Sequence, residues 1–291
     1  MKFSKFCDPF RVDDGSDFRL KDFDPAATGD VSKEEAEVLL EQGIRLTTEL
    51  QEKLYAQDQW AVLLVLQAMD AAGKDGFIQH VMSGVNPQGC QVFSFKEPSQ
   101  EELNHDFLWR AARQLPERGK IGIFNRSYYE EVLVVRVHPE LLDRQHLPSH
   151  LVTKDIWKNR FKDIRAFERY LTRNGIVIRK FFLNVSREEQ KRRFLRRIEE
   201  PEKNWKFSAS DVRERRHWDE YMEAYEDLIR NTSEPHAPWY VVPADHKWFT
   251  RLVVSSALIQ ALEECKPAFP QMDEERKKEL MAARRILEGE K

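Results

Sequence analysis

The sequence predicts an α/β domain built on a parallel five-stranded sheet covered by helices. Three observations carry this expectation. Apolar runs rich in β-branched and aromatic residues recur at 60–66, 90–95, 120–124, 175–185 and 238–243. Longer stretches with helical spacing separate them, so strand alternates with helix, the order of βαβ units. The junction after the first run reads Ala68-Met69-Asp70-Ala71-Ala72-Gly73-Lys74-Asp75-Gly76. Strand, glycine loop with lysine, then helix is the order of a phosphate-cradling loop.

Taken in order, residues 1–29 read as an irregular arm with Pro9, Gly15, Pro25 and Gly29. Ser32 followed by Glu35 is a capping box. It opens a helix to about Gln57, with Val38, Leu39, Ile44, Leu46, Leu50 and Leu54 as the expected buried stripe. Trp60 to Leu66 is continuously apolar and suits a strand buried on both faces. A second strand, 90–95, follows the turn Asn86-Pro87-Gln88-Gly89. A helix is expected from Pro98 to about Leu115, then a strand at 120–124.

That strand ends in Asn125-Arg126-Ser127-Tyr128-Tyr129-Glu130. Open parallel sheets place ligands at the carboxyl ends of their strands. A basic helix spans about Thr153 to Arg173, and the fourth strand is 175–185. Ser186 with Glu189 is a second capping box. Residues 199–210 are polar but carry Trp205 and Phe207, a loop that either packs on the domain or closes over a ligand. A helix of about twenty residues from Ser210 places Trp218, Tyr221, Tyr225 and Leu228 on one face, a core stripe. The fifth strand ends in Asp245, His246 and Lys247, and a helix from Trp248 to Glu263 closes the domain. The expected division is thus an arm (1–29), a domain (30–265) with a helical lid at about 187–230, and a charged C-terminal helix (266–291). That last helix either packs loosely or serves a partner.

The loop departs twice from G-x-x-x-x-G-K-S/T: Ala68 replaces the first glycine and Asp75 the metal-binding hydroxyl. Such a stretch is also compatible with an ordinary strand-to-helix turn. Asp70 inside a phosphate cradle would repel phosphate unless a divalent cation lay between them. A phosphate loop with this aspartate therefore implies magnesium, held by carboxylate rather than hydroxyl.

The net charge of −3 is uneven: Lys154 to Arg216 holds 20 Lys and Arg against 10 Asp and Glu. Either a polyanion is gripped there or long helices carry solvated charge. A nucleic-acid binder would leave Asp70 beside Lys74 without a purpose. Cys7, Cys90 and Cys265 are far apart and form no metal or redox spacing. No apolar run approaches the roughly 18 residues of a membrane span, and the N-terminus has no signal-peptide pattern. A cytoplasmic protein, with no membrane or nucleic-acid partner, is the expectation.

Four separated motifs, residues 70–76, 125–130, Asn204-Trp205-Lys206-Phe207 and Ala237-Pro238-Trp239-Tyr240-Val241-Val242, resemble the polyphosphate kinase 2 family. The resemblance covers about residues 20 to 265. It implies a P-loop kinase-like (thymidylate-kinase-like) α/β fold with a helical lid and reversible phosphoryl transfer between inorganic polyphosphate and a nucleotide. It also implies magnesium, with manganese as a substitute, and a dimer or tetramer.

Its loop aspartate falls on Asp70, the metal ligand, and its loop lysine on Lys74, with Ala72, Gly73, Asp75 and Gly76 completing the phosphate cradle. Its second motif places Asn125, Arg126, Tyr128 and Glu130 at the reacting centre and nucleotide. Its lid cations fall on Arg193, Arg197 and Lys206, which would clamp polyphosphate. Asn125 stands where many members carry aspartate, and with Glu130 and Asp75 it looks like the subgroup phosphorylating both AMP and ADP to give ADP and ATP. Arg136 either steadies the nucleotide phosphate or is a surface arginine. Phe93 and Phe95 either border the base or belong to the core, and Glu130 either orients the acceptor or makes a structural hydrogen bond. An ATP-dependent nucleoside monophosphate kinase is the alternative on the same scaffold.

Overall fold

The computed structural model describes residues 2–290. Its sheet has six strands, β1 (Arg11–Val12), β2 (Ala61–Gln67), β3 (Cys90–Ser94), β4 (Ile121–Asn125), β5 (Ile176–Asn184) and β6 (Trp239–Pro243), ordered β1-β6-β5-β2-β4-β3. The five expected strands are present and mutually parallel; the sixth corrects the count. β1 comes from the stretch read as an arm and pairs antiparallel with β6, Arg11 opposite Tyr240 and Val12 opposite Trp239. Phe3, Phe6, Cys7 and Phe18 of that stretch are buried, so it belongs to the domain core.

The helices are α1 (Lys33–Gln57), α2 (Lys74–Val81), α3 (Gln100–Leu103), α4 (Trp109–Ala112), α5 (Val134–Val137), α6 (Ile156–Arg173), α7 (Arg187–Glu199), α8 (Ala209–Glu214), α9 (Trp218–Thr232), α10 (Lys247–Glu264) and α11 (Glu274–Gly289). α1 starts at the expected box: Ser32 Oγ accepts from the Glu35 N–H and the Glu35 carboxylate accepts from the Ser32 N–H. Its buried stripe keeps the expected Leu39 and Leu54 and adds Ala36, Leu40, Gly43, Thr47 and Gln51; Leu46 and Leu50 pack at its border, and Val38 is exposed. The helix expected over 98–115 is two short pieces, because Asp106 turns its carboxylate onto the Leu108 N–H and competes with the helical bond. The helix from Ser210 is interrupted at Arg215–His217. Beyond that point Trp218, Tyr221, Tyr225 and Leu228 are all buried, so α9 is part of the body of the domain.

Neighbouring residues of β5 show how the sheet is covered. Successive side chains of a strand point to opposite faces. Arg179 pairs with Glu264 at the end of α10, and Lys180 pairs with Glu168 of α6 at 2.6 Å. α10, backed by α1, therefore covers one face and α6 with α9 the other. With both faces covered, every residue of β2 is buried. The Lys180–Glu168 pair is wholly buried and satisfied from several sides. Lys180 also donates to Thr232 O (2.6 Å), and Glu168 accepts from the hydroxyls of Tyr128 (2.9 Å) and Tyr129 (2.8 Å). This network anchors the chain just past Arg126. The chain crosses from β3 and β4 on one side of β2 to β5 and β6 on the other, and the crevice at that reversal lies at the carboxyl ends of β2 and β4.

Candidate active site

The crevice is built from the end of β2 upward. Asp70 to Gly73 form the turn and Lys74 begins α2. Ala71 (φ +62°) and Gly73 (φ +113°) take left-handed conformations that bend the loop. Lys74 Nζ lies 2.7 Å from Ala68 O and 3.5 Å from Met69 O. Burial pulls its ammonium pKa below the ordinary lysine range, while Asp70 works against that shift. Arg126 leaves β4 with φ +61°, its N–H still bonded to Leu66 O of β2. Its guanidinium sits between two carboxylates, 3.1 Å from Asp70 and 3.6 Å from Glu130. Gln67, the last residue of β2, donates to Glu130 at 2.7 Å. Asn125 donates to Asp75 and to Ser94, both at 3.3 Å, and its Oδ1 is buried without a partner.

Two cavities meet at Arg126. The larger, about 620 Å³, is lined by Asp70 to Gly76, Asn125, Arg126 and neighbouring residues, in all ten basic side chains against three acidic ones. Arg197 and Lys206 are among them, as the motifs imply. Lys96, Arg196, Lys203, Lys247 and Arg251 were not anticipated. The crowding has an electrostatic mark: Lys247's pKa is lowered by burial and then by Arg193, Arg196, Lys203 and Arg251. A net excess of positive charge of this kind suits a polyanion. Lys247 at the end of β6, and Arg251 one turn further, were the signal available in the sequence.

The smaller cavity, about 300 Å³, shares Phe95, Lys96, Glu97 and Arg126 with the first. Its wall is mostly apolar, with Leu103, Phe107 and Val134, and Glu130 faces it. Phe95 thus serves both as core, packed on Phe124 at 4.9 Å, and as cavity wall. Phe93 lines neither and packs on Phe124 as core.

Three expected site residues need correction. Arg193 lines the cleft as expected but lies buried against the loop, and its guanidinium donates to the carbonyls of Ala71, Ala72, Ala244 and Asp245 and to the Glu189 carboxylate. With its donors so committed it supports the loop rather than acting as a free lid clamp. Arg136 lines neither cavity; it pairs with Asp227 of α9 at 2.6 Å. Tyr128 does line the smaller cavity, but its hydroxyl is committed to Glu168 and gives a nucleotide no donor.

A phosphate loop, a cationic cleft and an adjoining apolar cavity on a parallel sheet define a phosphoryl-transfer enzyme. The chain belongs to the polyphosphate kinase 2 family: the family model described as Polyphosphate kinase 2 matches residues 30–270. It is 54% identical over 257 residues to an ADP-polyphosphate phosphotransferase of Rhodopseudomonas palustris, covering 88% of this chain and 89% of that protein. It is 46% identical over 264 residues to an AMP/ADP-polyphosphate phosphotransferase of Meiothermus ruber, covering 90% and 95%. The crystal structure of Polyphosphate Kinase 2 from Arthrobacter aurescens TC1 superposes with a TM-score of 0.87 at 39% identity over 96% of each chain. Among the described residues no helix is long and apolar enough to cross a membrane.

Proposed function

We propose that the protein transfers the terminal phosphoryl group of inorganic polyphosphate to AMP and to ADP, reversibly and with magnesium. The observation that carries this reading is the junction at Arg126, where a long cationic cleft meets a mostly apolar cavity of about 300 Å³. The cleft suits a linear polyanion as donor; the cavity suits a nucleobase and its sugar as acceptor. A donor ATP would favour an apolar base pocket beside the loop, and the loop's neighbours are cations instead. Both relatives are named for ADP and one also for AMP, so AMP is the finer part of the proposal. Assembly as a homo-oligomer is supported by α11, whose Leu280, Met281, Ile286 and Leu287 are exposed.

Phosphoryl transfer needs alignment and charge neutralisation more than covalent chemistry. Lys74 and Arg126 would hold the moving group, with Asp70 and Glu130 keeping the Arg126 guanidinium between loop and acceptor. Gln67 would hold Glu130 toward the acceptor. Among the described residues no group of three His, Cys, Asp or Glu forms a protein cage for a metal. The residues present nonetheless fit magnesium, which takes one or two carboxylates and fills its shell with phosphate oxygens and water. Asp70 would hold it, with Asp75 adjoining, and when bound it supplies further neutralisation of phosphate charge. Asp70's own pairing with Arg126 fits a carboxylate shared between cation and guanidinium.

The test is to incubate the protein with polyphosphate and magnesium, starting from AMP and separately from ADP, and to follow ADP and ATP by chromatography. Both conversions are expected; turnover of ADP alone would sink the AMP assignment and leave the polyphosphate one. The same assay with ATP as donor to AMP is expected to run far slower. Salt gives an independent check. The Debye length falls from about 10 Å at 0.1 M to about 3 Å at 1 M. Apparent polyphosphate affinity should drop steeply over that range, and Arg197→Ala should flatten the slope. An affinity indifferent to salt would refute a charge-based grip.

A further inference from the structure

Side chains take up five consecutive carbonyls of the phosphate loop. Lys74 takes those of Ala68 and Met69. Gln190 Nε2 donates to Asp70 O at 3.0 Å. Arg193 Nη1 donates to Ala71 O and Ala72 O at 3.1 and 2.7 Å. Gln190 and Arg193 stand three residues apart on α7 and so share a face. In a trans peptide the N–H and C=O point to opposite sides. Carbonyls drawn toward α7 therefore turn the N–H groups of Ala71 and Gly73 away from it. With Ala71 and Gly73 left-handed, this is the pattern of an anion-binding nest.

Gln190 is itself held. It is 1% exposed, so both ends of its amide need partners. Arg215, in the turn after α8, donates to Gln190 Oε1 at 2.7 Å and to Arg187 O at 2.8 Å. Arginine has donors only, so Oε1 must face Arg215 and the amide N–H must face Asp70 O. The turn at Arg215 thus decides which end of Gln190 reads the loop.

We infer that Gln190 is a positioning residue for phosphoryl transfer: it fixes the Asp70–Ala71 peptide of the phosphate loop, and Arg215 fixes Gln190. The inference rests on the polyphosphate reading, since it assumes that the loop holds phosphate. Its chemistry is specific to the loop and separate from lid charge. Gln190 touches no substrate; it acts by keeping the Ala71 N–H and the Asp70 side chain in place.

Gln190→Glu is the informative change. It keeps the length and the Arg215 partner but puts a carboxylate oxygen where a donor meets the Asp70 carbonyl. Affinity for tripolyphosphate, titrated calorimetrically without nucleotide, is expected to fall about tenfold or more. The value of kcat should fall by a similar factor with AMP and with ADP, while the KM of either nucleotide stays put. A role in packing alone would lower the melting temperature and leave the tripolyphosphate affinity of the folded protein at the wild-type value, which overturns the inference. Gln190→Met removes the donor without burying a charge and covers the case in which the glutamate variant does not fold. Unchanged affinity in the methionine variant overturns the inference equally. Arg215→Met should cause a smaller loss that vanishes in the Gln190→Met background; additive losses would overturn the relay. If wild-type protein binds tripolyphosphate but phosphorylates neither nucleotide, the functional reading fails while the titrations still decide the role of Gln190.

Discussion

Replacing Lys74 with alanine is expected to lower turnover by about 10²- to 10³-fold, the loss typical of removing one preorganised donor from a transition state. The ammonium is the one positive charge that begins α2, and in the absence of phosphate it rests on the carbonyls of Ala68 and Met69. An ammonium has three donors and these carbonyls take at most two, so one stays available for a phosphoryl oxygen. Burial already disfavours its charge, which makes a phosphate partner more valuable there than at the surface. The loss should appear in kcat with AMP and with ADP alike, since the residue sits on the donor side of Arg126. Steady-state rates with polyphosphate as donor check this. Turnover within tenfold of wild type would remove the loop from the reacting centre.

Lys180→Met is expected to destabilise the protein by about 3–5 kcal/mol, the range for breaking a buried ion pair from one side. Glu168 and Lys180 are both fully buried, and Glu168 Oε2 has its 2.6 Å contact with this ammonium. Methionine fills similar space and leaves that carboxylate oxygen, together with Thr232 O, without its donor. Urea unfolding of the two proteins measures the difference. A loss under about 1 kcal/mol would mean that Glu168 takes up a proton or water at small cost. Adding Glu168→Leu should recover part of the stability, because two apolar side chains leave no stranded charge.

The parts of the fold that could be read in advance are those that local chemistry determines. The four inner parallel strands announce themselves as apolar runs because both faces are covered, while β3 at the edge is only partly buried. Ser32 with Glu35 marks a helix start by two reciprocal bonds within four residues. The loop declares itself through Gly73 and Lys74. What escaped was assembled from distant segments. Strand Arg11–Val12 is too short for any periodicity and exists only through Trp239 and Tyr240. Arg193 looks, in sequence, like one more lid cation; its four carbonyl partners come from residues 71–72 and 244–245, which only the fold brings together. Arg136 likewise meets Asp227 across 91 positions of chain. The smaller cavity draws on 95–98, 102–110, 126–135 and 141–145, so no spacing pattern could announce it.

The antiparallel pairing of Arg11–Val12 with β6 has a bearing on how the sheet's edge is closed. An uncovered outer strand is a template for another chain, and proteins blunt such rims with short or twisted segments. Here two residues suffice, and Phe3, Phe6 and Cys7, which precede them, seal the apolar ground below. A version trimmed to begin at residue 30, where the family match starts, would keep every loop and cation of the cleft. It would also bare the rim at Trp239–Tyr240 and invite chains to join edge to edge. The segment around Arg11–Val12 thus caps this one edge of the sheet, a duty independent of the reaction.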